Sequence, residues 1–378
     1  MDRRAQIRAL VWLAQNAPIK PARFKLQLDR KRTRLGMFQV SEKSEVKKPF
    51  FVLALILLAA ANSSRVDAQD KLTKFRFVHL EANGSQAVPF IAKEARVFEK
   101  NGLDVEIVRI GGGSRVIQAM LAGEIRVSHG SSPAVVEANL AGADLVIIAS
   151  TVNVATFRMM VAPTIKTPAD LKGKKIGISR FGGQTDTLTR HLLDRWRLDA
   201  NKDVALLQTG GGAETAAAMV SKTIDAALVN PPLHLNLGDA GFRTLANLGE
   251  MGIPYTSGSI VTTRSYVKSN PDILRRVMRS LLEGIKIYKT DREFSLRALE
   301  KYTRNQDRKV LAALWEEFGN GVIQKLPYAD PAGFKFVLDE VAVRRPEAKK
   351  MNVDELIDNR FVKELDDSGF VKSLYGGK

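Results

Sequence analysis

The feature that most constrains this chain is an internal repeat. Displacing the 378-residue sequence by 99 positions sets Gly111-Gly112-Gly113 on Gly210-Gly211-Gly212, Met120 on Met219, Ile125 on Ile224 and Pro133 on Pro232. The same displacement sets the turn at Gly84 on the turn at Gly183, each just after an apolar run, 75–80 and 174–179. One glycine-triplet match is within reach of chance. A single offset held from strand through loop to helix, twice over, predicts two similar lobes.

Short apolar runs alternate with helical patterns throughout. Residues 75–80 read as a strand and 89–100 as a helix with Phe90, Ile91, Ala95, Val97 and Phe98 on one side, stopped by Asn101-Gly102. Strand 103–110, helix 114–122 closed by Gly123, strand 125–128, a helix from Pro133 and strand 145–149 follow. Such alternation predicts βαβ units and a mostly parallel sheet. The chain then crosses between lobes through 150–155 and returns near Thr256-Ser257-Gly258-Ser259 into the strand 260–263. Beyond it, Asn270-Pro271-Asp272 caps a helix carrying Ile273, Leu274, Val277, Met278, Leu281, Leu282, Ile285 and Tyr288, the spacing of one buried face. The expected fold class is therefore α/β and two-lobed, with a first lobe in two parts (69–155 and 259–378), a second lobe at 156–258, and C-terminal helices packing back on the first.

The N-terminus reads differently. Lys47 and Lys48 precede an unbroken apolar run of 12 residues, 50–61, followed by Asn62-Ser63-Ser64-Arg65-Val66-Asp67-Ala68. A basic region, a short apolar core and a V-x-A site make a secretory signal peptide over 47–68, cleaved near Ala68. Twelve residues of helix cover about 18 Å, well short of a bilayer core of about 30 Å. Residues 1–46 form a basic extension, with Met37 an alternative start, and the exported chain begins near Gln69 and works in the periplasm. The net charge of +17 owes a surplus of +9 to residues 1–68, which hold 14 Lys and Arg against 5 Asp and Glu. The remaining charges, such as Lys286, Lys289, Arg292 and Arg297, are dispersed along helices as a solvated face, so no nucleic-acid partner is expected.

Cysteine is absent, which excludes disulfides, thiolate metal sites and a cysteine nucleophile. The four histidines are far apart in sequence, so no histidine metal site or other cofactor is expected. Gly111-Gly112-Gly113 lacks the G-x-G-x-x-G spacing and no G-x-x-x-x-G-K-[ST] or G-x-S-x-G occurs, so neither nucleotide binding nor a hydrolase elbow is indicated. His129 beside Ser131 and Ser132 reads as a polar strand end lining a cleft, since residues of one turn seldom reach nucleophile–base geometry. Asp225, Glu214 and Glu81 form no spaced carboxylate pair. Turns that supply a glycine, or a small hydroxyl or amide beside a helix start, recur instead at 81–86, 111–114, 129–133, 180–185, 210–213 and 229–232. In open parallel sheets such turns bring backbone N–H groups and helix N-termini to the carboxyl edge, where ligands bind.

Three stretches carry a family resemblance: Ser179-Arg180-Phe181-Gly182-Gly183-Gln184-Thr185-Asp186, Ile224-Asp225-Ala226-Ala227-Leu228-Val229-Asn230-Pro231-Pro232, and Ile253-Pro254-Tyr255 before Val261-Thr262-Thr263-Arg264. With the exported leader, they resemble substrate-binding proteins of bacterial ABC importers of the nitrate/sulfonate/taurine type, related in fold to thiamine-pyrimidine-precursor proteins. The resemblance covers essentially residues 70–375. It implies a type II periplasmic-binding-protein fold with mixed sheets and a hinge of two crossovers, acting as a monomer that presents a small-molecule ligand to a membrane permease and its ATPase. Eukaryotic relatives that make the thiamine pyrimidine rely on a cysteine-rich motif, and this chain has no cysteine. Asn83, Ser85, Ser114, Ser131 and Ser132 are expected to contact the ligand from the first lobe. Arg180, Gln184, Thr185 and Asn230 act from the second, with backbone N–H groups of Gly84, Gly113 and Gly183; none is expected to be catalytic. The alternatives are an exported enzyme on the same scaffold and a ligand-sensing receptor partner.

Overall fold

The structure, a computed structural model, describes residues 72–376, so the basic extension, Met37 and the signal segment lie outside the described residues. Ten strands run in chain order as β1 Thr73–His79, β2 Leu103–Arg109, β3 Val127–His129, β4 Leu145–Ser150, β5 Arg158–Val161, β6 Lys175–Ile178, β7 Ala205–Gln208, β8 Ala226–Val229, β9 Arg243–Asn247 and β10 Ser259–Thr263. The helices are α1 Val88–Glu94, α2 Val97–Lys100, α3 Gly113–Leu121, α4 Ser132–Leu140, α5 Gln184–Arg195, α6 Gly212–Val220, α7 Leu233–Asp239, α8 Arg264–Ser269, α9 Pro271–Thr290, α10 Arg292–Thr303, α11 Arg308–Leu314, α12 Pro331–Ala342, α13 Val353–Leu356, α14 Arg360–Asp367 and α15 Phe370–Leu374.

The strands form two five-stranded sheets, ordered β2-β1-β3-β10-β4 and β7-β6-β8-β5-β9. In each, the first three strands are parallel and the fourth is antiparallel to its neighbours. That fourth strand is the first one laid down after the chain crosses from the other sheet: β5 on the way out, β10 on the way back. The repeat is thus literal. Helix α3 becomes α6 at the 99-residue offset, β1 and β6 end at His79 and its counterpart Ile178, and Met120 and Met219 are both buried beneath their helices.

Two crossovers, residues 151–157 and 248–258, join the sheets and are hydrogen-bonded to each other. Thr151 N donates to Gly258 O at 3.0 Å, Ser257 N to Val152 O at 2.9 Å, Tyr255 N to Asn153 O at 3.2 Å and Ala155 N to Ile253 O at 3.1 Å. A two-stranded ribbon therefore links the lobes.

The amphipathic pattern places α9 as expected. Leu274, Val277, Met278, Leu281, Leu282, Ile285 and Tyr288 are all buried, packed with Phe90, Ile91 and Phe98 under the first sheet. Asn270 stands at the N-cap position, but its amide turns to Ser269 Oγ at 2.7 Å instead of closing the helix start. The helix expected at 89–100 is broken in two by Arg96 in the left-handed region at φ 55°. That conformation costs a non-glycine residue roughly 1–2 kcal/mol, which the burial of Val97 and Phe98 beyond the break offsets. One C-terminal helix also departs from the expected packing on the first lobe alone. Helix α12 lies against α4 and α5 together, with His191 Nδ1 and Glu340 Oε1 2.7 Å apart and Gly333 packed on the Tyr255 backbone of the returning crossover.

The burial of α9 predicts that Leu281→Ala lowers stability by about 2–5 kcal/mol, read as a lower denaturant midpoint with little change in slope.

Candidate functional site

The carboxyl ends of the two sheets meet. Arg109, ending β2, pairs with Glu214 of α6 at 2.9 Å, and Ser114 Oγ donates to Phe181 O at 3.0 Å. The two glycine triplets touch: a methyl group at Gly111 would lie 3.4 Å from Gly211 Cα, and one at Gly112 would lie 2.7 Å from Arg180 Cγ. Gly112 also needs its missing side chain for a second reason, since its φ is +87°. The lobes are shut, and the absence of side chains on these loops lets them approach so closely.

Inside the contact is a cavity of about 20 Å3, lined by Leu80, Glu81, Gln86, Gly112, Gly113 and Phe157 together with Ser179, Gln184, Thr185 and Asn230. This is roughly the space of one water, so entry of any larger molecule requires the lobes to part. The two walls are built alike. Leu80 N donates to Gln86 Oε1 at 2.9 Å, and Ser179 N donates to Thr185 Oγ1 at 2.8 Å, the same six-residue closure displaced by 99 positions. Helices α3, α5 and α6 begin at Gly112, Gly183 and Gly211 with no side-chain cap, so their first backbone N–H groups are left for other acceptors.

Of the residues expected from sequence, Gly113, Gln184, Thr185 and Asn230 line this cavity. The Gln184 Nε2 group is buried without a partner, while Asn230 Oδ1 accepts from Thr156 Oγ1 at 3.0 Å. Gly183 stands at the α5 N-cap behind them. Arg180 lies against Gly112 and Ser114 is spent on the Phe181 carbonyl, so both hold the lobes together at the edge of the cavity.

Others are turned elsewhere. Asn83 Oδ1 accepts from Ser85 Oγ at 2.9 Å and Gln86 N at 3.1 Å, closing its own turn, and Gly84 carries the Phe318 ring. Ser132 Oγ joins Ser259 Oγ at 2.9 Å and the Thr256 carbonyl at 3.1 Å, fastening α4 to the returning crossover. Ser131 Oγ is buried without a partner behind Gly113. His129 does not line the cavity: its ring packs edge-on to Phe77, with neither nitrogen hydrogen-bonded.

Glu81, Gln86, Ser179 and Phe157 are cavity residues that the loop composition did not single out. The repeat held a signal for two of them, because Gln86 stands where Thr185 stands in the other lobe and Glu81 where Arg180 stands. Phe157, on the crossover, had none.

The lobe contact gathers Glu81 and Glu214 with Arg109 and Arg180. Burial pushes the Glu81 carboxyl above its ordinary value, opposed by hydrogen bonds from Asn83 and the Gly212 backbone and by Arg109. The Arg109 hydrogen bond holds Glu214 below its ordinary value. Among the described residues no three His, Asp or Glu side chains gather as a metal ligand set.

With this geometry in hand, comparison with known proteins is decisive. A family model described as NMT1/THI5 like matches residues 83–293, more than half of the chain. The chain belongs to the NMT1/THI5-like family. It is 26% identical over 223 residues to a Bacillus subtilis (strain 168) protein, "Putative binding protein YtlA", a match spanning 57% of this chain and 66% of that one. In structure it is similar to the alkanesulfonate-binding protein SsuA of Xanthomonas axonopodis pv. citri, with a TM-score of 0.63 at 21% identity over 75% of this chain and 98% of that one. It is also similar to the periplasmic nitrate-binding protein NrtA of Synechocystis PCC 6803, with a TM-score of 0.66 at 17% identity over 79% and 89% of the two chains. The NMT1/THI5-like chain thus has the type II periplasmic-binding fold that its strand order describes.

Two buried imidazoles of this NMT1/THI5-like lobe make a pH prediction. Burial lowers the His79 pKa from 6.5 to about 4 and the His129 pKa from 6.5 to about 3. Between those values and 6.5 the unfolded chain binds more protons than the folded one, so stability is full above about pH 6.5 and falls as the pH drops. The expected loss reaches about 1.4 kcal/mol per pH unit for each ring. Denaturant unfolding from neutral pH down to about pH 5 checks it, with a flat profile counting against buried neutral rings.

Proposed function

We propose that this chain is the exported solute-binding component of an ABC import system, capturing a small polar or anionic organic solute between its lobes in the periplasm. The observation that carries this reading is the cleft: two repeat-related walls on a hydrogen-bonded hinge, uncapped helix starts, and the buried, unpartnered amide of Gln184. The leader read from residues 47–68 supports export, and among the described residues no helix is long and apolar enough to cross a membrane. Names of structural neighbours, an alkanesulfonate-binding and a nitrate-binding protein, set the first solutes to try.

The physics is that of a closure equilibrium. A solute larger than a water holds the lobes further apart than here, and one that touches both walls stabilises that solute-filled closed form by its differential affinity for it. Moving the population from 1:99 to 99:1 takes about 5.5 kcal/mol of such preference, within reach of a few buried hydrogen bonds. The shut molecule is then what a membrane permease and its ATPase would recognise, and no chemical step on the solute is required.

A thermal-shift or native mass-spectrometry screen of the purified protein against sulfonates, nitrate, taurine, pyrimidines and phthalate-like acids tests the reading. A bound solute that the protein also turns over would favour an enzyme instead. With a ligand in hand, Gln184→Ala is expected to weaken binding about ten-fold or more while leaving the melting temperature without solute nearly unchanged, because its Nε2 has no partner to lose. Ser132→Ala is expected to do the reverse, costing roughly 1–3 kcal/mol of stability through the Thr256 and Ser259 contacts. Calorimetry and unfolding of both variants separate the two roles.

A further inference from the structure

The carboxylate of Glu81 is unexpected where it stands. It projects from the first lobe across the cleft to the start of α6 in the second, where a methyl group at Gly212 would lie 2.6 Å from Glu81 Oε1. It lies beside the Gly212 backbone, and Asn83 Nδ2 donates to its other oxygen at 3.1 Å. Helix α6 has nine residues and no side-chain cap of its own. Glu81 Oε1 therefore stands at its start from the opposite lobe, in the position that an anion would seek. It is also the one charged side chain lining the cavity, and it separates that cavity from a larger groove of about 480 Å3 outside, lined by His79, Arg109 and Tyr302 among others. On the opposite wall the buried Gln184 Nε2 has no acceptor. The site thus offers an unmet donor on one side and a carboxylate on the other.

Resting on the solute-binding reading above, we propose that Glu81 determines specificity: as a tethered anion at the α6 N-terminus it rejects solutes that are anionic at that end and selects those neutral or positively charged there. An anionic group placed at the α6 start would have to displace Glu81 and leave a carboxylate buried beside it, two like charges in one enclosed space. An ammonium or amide group would instead donate to Glu81 and bring no second negative charge beside it.

The test uses size-matched probes, propane-1-sulfonate, propan-1-amine and propanamide, titrated calorimetrically into wild-type protein, Glu81→Gln and Glu81→Asp. Wild-type protein is expected to bind the amine or the amide more tightly than the sulfonate. Glu81→Gln should raise sulfonate affinity about ten-fold or more and lower amine affinity by a similar factor, while Glu81→Asp keeps the wild-type order. Preference of the wild-type protein for the sulfonate, or a Glu81→Gln protein no better at binding it, would overturn the proposal. If no probe binds, the solute reading fails for these compounds, and small-angle scattering then decides the part played by Glu81. Glu81→Gln should enlarge the radius of gyration as the lobes part, with inorganic sulfate reversing the change, and an unchanged radius would reject the role.

Discussion

The hydrogen-bonded pairing of the two crossovers governs the rest of this structure. Each crossover alone would be a flexible tether between sheets. Paired through Thr151, Ser257, Tyr255 and Ala155, they become a short ribbon that limits how the lobes can move relative to each other. Ser132 ties the first lobe's α4 to that ribbon, and Thr156 on the outgoing strand reaches Asn230 in the second lobe. Helix α12 lies against both α4 and α5. Under the proposed closure, these contacts would confine the lobes to a motion that brings the same loops together each time.

What those loops need is an absence of bulk. A methyl group at Gly111 would meet Gly211 at contact distance, one at Gly211 would lie 2.5 Å from Arg109 Nη2 of the other lobe, and Gly112 takes a positive φ beside Arg180. The matching glycine turns thus leave space where the two halves meet. The exposed Arg109–Glu214 pair contributes little energy by itself, but it fixes the register in which the turns meet.

Polarity in the cleft is arranged with the same economy. Three helices begin at glycines that bring backbone N–H groups to the contact and no side chain to cap them. The Glu81 carboxylate reaches one of these starts from across the cleft, and the buried Gln184 amide on the facing wall has no partner. Buried donors without partners are rare and costly, and this one supports the solute-binding reading proposed above.

The repeat, the alternating strands and helices and the amphipathic stripe of α9 were legible in the amino-acid sequence, because periodic burial is written directly into residue spacing. So was the placing of Gly113, Gln184 and Thr185 at the lobe contact, since a glycine turn before a helix start has a local signature, and of Asn230, an amide before Pro231-Pro232. The break at Arg96 was not, nor the turning of Asn83, Ser85 and Ser132 into caps and fasteners. A hydroxyl or amide beside a helix start serves a cap and a ligand equally well, and only its neighbours in space decide between them. Glu81 shows the limit most clearly. In sequence it is one carboxylate in a loop, and only the meeting of the two lobes sets it on a helix start 131 positions further along the chain, where its charge gains a meaning.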